Sequence, residues 1–74
     1  MKNYLTIGEV SRLKGVGIKS LRYYDRLGIL TPAYVNPENG YRYYTREQLL
    51  KLDLILLFIE LGIPLREFNR YTDA

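Results

Sequence analysis

The chain contains no cysteine, no histidine and no tryptophan among its 74 residues. Without cysteine it can form neither a disulfide nor a thiolate metal site, which fits a reducing cytoplasm. Without histidine it lacks the commonest general base and the commonest metal ligand. The carboxylates are scattered along the chain, so no acid–base or nucleophile pair is evident. We therefore expect a protein that is not an enzyme and that has no catalytic residue, no bound metal and no cofactor.

Long hydrophobic runs are absent as well. The longest apolar stretch, Leu54–Ile59, is far too short to cross a bilayer. The first ten residues also lack the apolar run of a signal peptide, because Gly8 and Glu9 interrupt them. The length predicts one small domain, residues 1–74, that must be stabilised by packing alone. We expect a cytoplasmic protein without a membrane partner.

Positive charge and tyrosine are concentrated in the first two thirds of the chain. Residues 1–51 contain nine lysines and arginines against four acidic residues, whereas residues 52–74 contain two against four. Seven of the eight tyrosines precede residue 45. Arginine binds phosphates and base edges, and tyrosine offers a flat ring and a hydroxyl donor. The distribution favours nucleic-acid binding, and an unevenly charged solvated surface is the alternative.

A capping box begins the first predicted helix, with Thr6 as N-cap and Glu9 three residues later. Apolar residues then recur at every third position, and we expect them to form a buried stripe. The members of this stripe are Ile7, Val10 and Leu13. Two glycines in residues 14–17 favour a turn that ends the helix.

The pattern predicts a second helix from about residue 18 to residue 27, with Gly17 as N-cap and Gly28 at its C-terminal end. Its inward groups are expected to be Ile18, Leu21 and one face of Tyr24-Asp25. Two short helices joined by a glycine turn form a helix-turn-helix, whose second helix reads the major groove. A generic helical hairpin is an equally good interpretation of these two helices alone.

A β-hairpin is predicted next, because Asn39-Gly40 lies between two tyrosine- and valine-containing runs, residues 34–36 and 41–43. Asn-Gly is a strong hairpin signal, since both residues tolerate a positive φ. A hairpin directly after a helix-turn-helix is a wing, and its expected task is to bring Arg42 to a phosphate or into the minor groove. A hairpin that only covers the core is the alternative, although strands this short bury little surface.

A second capping box, Thr45 with Gln48, begins a long third helix that ends at Gly62. One stripe of this helix is expected to supply the core: Leu49, Leu52, Leu56 and Ile59. A second row, which we call the leucine stripe, consists of Leu50, Leu54, Leu57 and Leu61. Two apolar stripes are more than a surface helix of a small domain requires, so the leucine stripe indicates a covering partner.

A fourth helix is predicted to begin around residues 63–65, with Pro64 in its first turn. Leu65 and Phe68 are expected to pack inward. The first amide groups of this helix are candidates for binding a phosphate.

With these elements placed, the chain resembles the DNA-binding domain of MerR-family transcription regulators over roughly residues 4–68. The resemblance rests on four groups of residues: Thr6-Ile7-Gly8-Glu9-Val10; Leu21-Arg22-Tyr23-Tyr24-Asp25 with Gly28 and Pro32; Tyr41-Arg42-Tyr43-Tyr44; and Gln48-Leu49, Leu52, Ile55 and Gly62-Ile63-Pro64-Leu65. The second group is highly specific, and the whole pattern is most similar to the multidrug-sensing branch. The resemblance implies a mainly α winged helix-turn-helix of about four helices with a small two-stranded wing hairpin.

The resemblance also implies which residues contact DNA. On the second helix these are Lys19, Arg22, Tyr23 and Tyr24, and on the wing they are Arg42 with Asn39 and Tyr41 as supporting contacts. For Tyr24 the alternative is a half-buried side chain, whose ring packs while its hydroxyl reaches a phosphate. A second wing, Gly62-Ile63-Pro64, would bind a phosphate through backbone amides. Lys14 is a further candidate phosphate contact because of its charge. Asp25 would repel DNA, so it is expected to orient an arginine or to cap a turn.

The implied function is sequence-specific binding of double-stranded DNA as the reader domain of a MerR-like regulator. As a dimer, such a regulator distorts a promoter with an overlong spacer so that RNA polymerase can engage it. Family members dimerise through a helix that would begin near Ala74, so this helix and the effector domain are expected to be missing. The alternatives are an excisionase-like architectural DNA-binding protein and a protein-interaction module that uses the leucine stripe.

Overall fold

Residues 4–72 are described by a computed structural model, which has three short strands and four α-helices in this part of the chain. In chain order the elements are β1 (Tyr4–Thr6), α1 (Ile7–Lys14), α2 (Ile18–Arg26), β2 (Tyr34–Val35), β3 (Arg42–Thr45), α3 (Arg46–Leu61), a 3-10 turn (Leu65–Glu67) and α4 (Phe68–Thr72). The predicted class, a mainly α winged helix-turn-helix with four helices, is confirmed.

Both predicted capping boxes are present. The Thr6 hydroxyl accepts from the Glu9 amide at 3.1 Å, and the Glu9 carboxylate accepts from the Thr6 amide at 2.8 Å. At the start of α3, the Thr45 hydroxyl and the Gln48 side chain make the same exchange at 3.3 and 3.0 Å. The Gln48 side-chain amide also donates to the Thr31 carbonyl. The cap of α3 is therefore joined to the loop that follows α2.

Thr45→Ala is expected to lower the free energy of unfolding by about 0.5–2 kcal/mol, because an N-terminal amide of α3 loses its acceptor. Urea denaturation of both proteins measures the difference. Thr45→Ser keeps the hydroxyl and is the matched control, which should retain most of the stability. Equal losses for the two variants would show that the capping hydroxyl at this position contributes nothing to the free energy of unfolding.

The sheet has three strands rather than the two predicted, because β1 also joins it. β3 is central and runs antiparallel to both neighbours, with Leu5 opposite Tyr44 and Tyr34 opposite Tyr43. β1 has only three residues and pairs with a strand about forty residues away. No periodicity can reveal a strand this short when its partner is distant. The result is a wing that is anchored at the entrance of α1.

The wing turn forms at the predicted position, but its geometry differs from that expected. Gly40 has a φ of 74°, whereas no non-glycine residue in the described part of the chain has a positive φ. Asn39 instead accepts the Tyr41 amide on its side-chain oxygen at 2.9 Å. The Asn36 carbonyl accepts the Gly40 amide at 2.7 Å. The loop is longer than a two-residue Asn-Gly turn, so only Gly40 needs the left-handed conformation.

The core lies where α1, α2, β3, α3 and α4 meet. The most deeply buried side chains are Val10, Leu21, Leu30, Tyr44, Leu52, Ile55 and Phe68. Phe58 packs edge-on against Phe68 with ring centroids 5.0 Å apart, and Leu65 packs against the same cluster. The inward positions predicted for Leu65 and Phe68 are therefore confirmed. Because Tyr44 belongs to the wing, the hairpin contributes to the core as well as to the surface.

In the first two helices, two residues assigned to the core from the sequence are in fact exposed: Leu13 by 62% and Ile18 by 38%. A step of three residues rotates 300° around a helix and falls 60° short of a full turn, so a series of such steps drifts off the buried face. Val10 and Leu21, the neighbouring members of the two series, are fully buried. In helices this short, one or two side chains reach the core.

The buried face of α3 also differs from the predicted stripe. Leu52, Ile55 and Phe58 are buried, Leu49 and Leu56 are partly buried, and Ile59 is exposed. Every position from residue 54 to residue 59 is apolar, so this part of the helix offers no polar face from which to locate the buried one. All four residues of the leucine stripe are exposed: Leu50, Leu54, Leu57 and Leu61.

The segment after α3 is shorter and tighter than the predicted fourth helix. Gly62 ends α3 with a φ of 75°, as expected. Pro64 is the extended N-cap of a 3-10 turn and not a residue of the first helical turn, and α4 begins only at Phe68.

Candidate nucleic-acid interface

A groove of about 350 Å³ opens between the start of α1, the start of α2 and the wing. We call it the interface groove. It is lined by Thr6, Ile7, Gly8, Ile18, Arg22, Gly40, Tyr41 and Arg42. Three predicted contact residues, Arg22, Tyr41 and Arg42, thus come together although they belong to two separate elements. The groove presents two guanidinium groups beside apolar side chains.

The exposed side of α2 carries the remaining predicted contacts of this helix. Lys19, Arg22 and Tyr23 are all exposed. The Arg26 guanidinium lies over the Tyr23 ring, 5.8 Å from its centroid, so cation–π attraction helps to hold both side chains. This surface combines cationic groups that bind phosphates with an aromatic ring.

Tyr24, by contrast, lies in the core with only 5% of its surface exposed. Its carbonyl accepts the amides of Ile29 and Leu30, which closes the turn after α2. The main role that the structure gives Tyr24 is therefore packing. A DNA contact by Tyr24 stays a prediction, limited to the small exposed part of the side chain.

An ion pair joins α2 to the wing. The Arg42 Nε lies 3.7 Å from the Asp25 Oδ2, and both side chains are partly exposed. Of the two sequence interpretations of Asp25, the orientation of an arginine is the one that the structure supports. At 3.7 Å the pair is a loose electrostatic contact rather than a hydrogen bond, so Arg42 can exchange partners.

Lys14 has a partner that the sequence did not predict. Its Nζ lies 2.7 Å from the Asp53 Oδ1 on α3, and its side chain is 25% exposed. A phosphate contact by Lys14 would require this ion pair to break or to be shared. Lys14 therefore joins the end of α1 to α3 in the free protein, and its DNA contact stays a prediction.

The predicted second wing, residues 62–64, has its amide groups already engaged. The Gly62 amide donates to Ile59 at 3.1 Å, the Ile63 amide donates to Phe58 at 2.9 Å, and Pro64 has no amide hydrogen. In the free protein these two amides are therefore used within the chain, and a phosphate contact at residues 62–64 stays a prediction.

Ile18 is an interface-groove residue that the sequence assigned to the core. The sequence did contain a signal for its exposure, because Ile18 is the first residue of α2 and lies at the end of the packed helix.

The start of α1 also lines the groove. Nothing in the sequence indicated this, because the start of α1 is brought to the wing by the pairing of β1 with β3.

Tyr44, two residues after the wing residue Arg42 on β3, carries an unusual hydroxyl group. The hydroxyl is buried and has no hydrogen-bond partner among residues 4–72. Burial raises the pKa of Tyr44 above its usual value, and the negative charge of Asp25 raises it further. The positive charges of Arg42 and Arg22 lower the pKa in part. The hydroxyl thus lies within electrostatic reach of the charged groups that form the interface.

The raised pKa of Tyr44 predicts a loss of stability in alkali. The unfolded state has the ordinary tyrosine pKa, so above about pH 10 it releases this proton more readily than the folded state does. The contribution of Tyr44 to stability is therefore intact below pH 10 and declines as the pH rises toward the folded-state pKa. Chemical denaturation at pH 8–11 of the protein and of Tyr44→Phe should show a steeper alkaline decline for the protein. Parallel curves would contradict this.

Within residues 4–72, no helix is long and apolar enough to span a membrane. The same part of the chain has no cluster of three or more residues that could hold a metal ion.

The exposed basic and aromatic side of α2, the wing beside it and the groove between them define a winged helix-turn-helix of the DNA-binding class. Residues 5–74 match the family model described as MerR HTH family regulatory protein. The chain therefore belongs to the MerR family.

Known proteins of this family are similar in sequence and in fold. The multidrug-efflux transporter 1 regulator of Bacillus subtilis is 50% identical over 72 residues, which cover 97% of this chain and 26% of the regulator. A chain in the cryo-EM structure of the EcmrR–DNA complex in EcmrR-RPo has 43% sequence identity to this chain, and the two folds superpose with a TM-score of 0.86. The match covers 93% of this chain and 26% of that one. MtaN, the N-terminus of the Bacillus subtilis multidrug transporter activator, is 33% identical with a TM-score of 0.85, over 95% of this chain and 65% of MtaN.

The expected likeness to multidrug-sensing members of the family is confirmed by these relatives. The chain spans about a quarter of the length of the Bacillus subtilis transporter 1 regulator and of EcmrR.

Proposed function

We propose that the chain binds double-stranded promoter DNA sequence-specifically, as the reader domain of a MerR-like transcription regulator. The observation that carries this proposal is the interface groove, in which Arg22 of α2 and Arg42 of the wing face the same space. The EcmrR structure, which has a closely similar fold, is a complex with DNA. We also propose that the protein is bacterial and acts in the cytoplasm, where the chromosome lies. We propose no enzymatic activity for it.

The two parts of the surface have different proposed tasks. α2 enters the major groove, where Arg22 and Tyr23 reach base edges and Lys19 reaches a phosphate. The wing brings Arg42 to the DNA backbone, supported by Tyr41 and Asn39. In the free protein the Asp25–Arg42 pair links the two parts through a loose contact, which Arg42 leaves when it binds a phosphate.

In a longer protein that contains this domain, we propose a homodimer that binds an inverted repeat and distorts a promoter with an overlong spacer for RNA polymerase. The exposed leucine stripe on α3 supports a covering partner, which would be the dimerisation helix following this domain. Two linked domains gain affinity through effective concentration without any new contact. By itself the domain is expected to sediment as a monomer or a weak dimer.

Fluorescence anisotropy on a labelled inverted-repeat promoter duplex tests the proposal. Titrations across a salt series should show weak binding that falls steeply with salt, since several phosphate contacts release counterions. An unlabelled scrambled duplex, used as competitor, should displace the labelled one less well than the specific duplex does. A fused parallel coiled coil should raise the affinity by orders of magnitude. If neither the domain nor the fusion binds at low salt, the proposal fails.

A further inference from the structure

We infer that Tyr44 is a positioning residue for DNA binding, whose hydroxyl takes over Asp25 when Arg42 turns to a phosphate. The inference rests on the proposed DNA-binding function. It assigns a role to the one buried side-chain polar atom within residues 4–72 that has no hydrogen-bond partner. Buried hydroxyls are normally paired, so an unpaired one beside charged groups indicates a partner that is available in another state of the molecule.

The three residues of this exchange lie on both sides of the junction between α2 and the wing, with Asp25 on α2 and with Arg42 and Tyr44 on β3. Tyr44 belongs to β3, two residues after Arg42, and its side chain is 1% exposed. Asp25 belongs to the last turn of α2, and its carboxylate is 3.7 Å from the Arg42 guanidinium. Side chains two residues apart on a strand lie on the same face of the sheet, so Arg42 and Tyr44 leave β3 on the side where Arg42 meets Asp25. In agreement with this placement, the negative charge of Asp25 raises the pKa of Tyr44. The Asp25 carboxylate thus has the charged Arg42 as its partner in the free protein and the neutral Tyr44 hydroxyl as a second donor on the same side.

Charge compensation supplies the reason for an exchange of partners. In the free protein, Arg42 balances Asp25, and the Tyr44 hydroxyl has no partner among the described residues. A DNA phosphate attracts Arg42, which leaves the carboxylate uncompensated next to a polyanion. A hydrogen bond from the Tyr44 hydroxyl would stabilise the carboxylate in that state. The phenol would then contribute to affinity without touching DNA.

The central experiment is a double-mutant cycle of Tyr44→Phe and Asp25→Asn, read by anisotropy on the inverted-repeat duplex. Tyr44→Phe alone should weaken specific binding about three- to tenfold, the size expected for one ordinary net hydrogen bond. In the Asp25→Asn background the same substitution should change the affinity less than about twofold, because the acceptor charge is gone. Tyr71→Phe makes the same chemical change at an exposed position of α4 and should leave binding unchanged.

Two further measurements separate positioning from a structural role. In the free domain, Tyr44→Phe should melt at the same temperature as the parent protein or higher, since phenylalanine fills the same space without an unpaired hydroxyl. The ¹³Cζ NMR resonance of Tyr44, assigned with Tyr44→Phe, should move on addition of the specific duplex. In Asp25→Asn it should move much less.

The outcomes distinguish this inference from the proposed function. If the parent domain and its coiled-coil fusion bind no DNA, the proposed function fails and the inference fails with it. If they bind and Tyr44→Phe binds equally well, or if the two substitutions are additive, only the inference is overturned. A lower melting temperature for Tyr44→Phe would also overturn it, because the hydroxyl would then be bonded in the absence of DNA.

Discussion

Arg42→Ala is expected to weaken DNA binding by about 1–3 kcal/mol per domain, roughly five- to 150-fold, while the domain remains folded. Arg42 lines the interface groove, and its side chain is partly exposed rather than part of the core. The substitution removes a phosphate contact and also lowers the net positive charge of the surface that faces the DNA polyanion. Both effects act in the same direction, which is why a large loss is expected.

The measurement is anisotropy at several salt concentrations, combined with a thermal melt of each protein. The slope of log affinity against log salt is negative, and its magnitude should fall by about one, because the variant makes one phosphate contact fewer and releases fewer counterions. Lys51→Ala removes the same charge from the exposed surface of α3, outside the interface groove, and is the matched control. If Arg42→Ala remains folded and binds as well as the Lys51 variant, the wing assignment is wrong.

Leu21→Ala is expected to reduce the free energy of unfolding by about 2–5 kcal/mol, because it leaves a cavity in the packed core. Leu21 is fully buried and is the main inward residue of α2. A domain of this size has a total stability of about 4–11 kcal/mol, so the variant is expected to be partly unfolded at 37 °C. At about 4–8 °C per kcal/mol for a domain this small, the melting temperature should fall by roughly 8–40 °C.

The matched control is Leu50→Ala, which makes the same chemical change at a leucine that is 67% exposed. Its effect on the isolated domain should be within about 0.5 kcal/mol. Circular dichroism melts and urea titrations of both variants provide the comparison. Similar losses for the two leucines would mean that the assigned core is wrong.

Local interactions account for what could be predicted before the structure. The capping pairs Thr6–Glu9 and Thr45–Gln48 lie three residues apart, and both are present. The glycine at the end of α3 has the left-handed conformation that its position predicted. In each case the deciding contacts are made within one or two turns of chain. The identity of the surface residues on α2 follows in the same way, since their charge already excludes them from a small core.

The candidate site was predictable in its membership but not in its connections. Arg22 and Arg42 were identified from their sequence context, and the structure brings them to one groove. The pairs Asp25–Arg42 and Lys14–Asp53 each join residues that are distant in sequence. Lys14 shows the consequence, since a basic residue expected to contact DNA is held by a carboxylate of α3. Charge predicts that a residue seeks a partner, but only the fold decides which partner is near.

The sequence by itself determined where the first three helices begin and end, the presence of a hairpin, and the basic and aromatic character of one surface. These features depend on backbone preferences and on contacts between near neighbours in the chain. Only the tertiary structure decided that β1 completes the sheet, that Ile55 and Phe58 rather than Ile59 face the core, and that the Tyr44 hydroxyl is buried. These features depend on non-local packing, because the rotation of a helix with apolar residues on several faces and the pairing of a three-residue strand are set by the surfaces they meet.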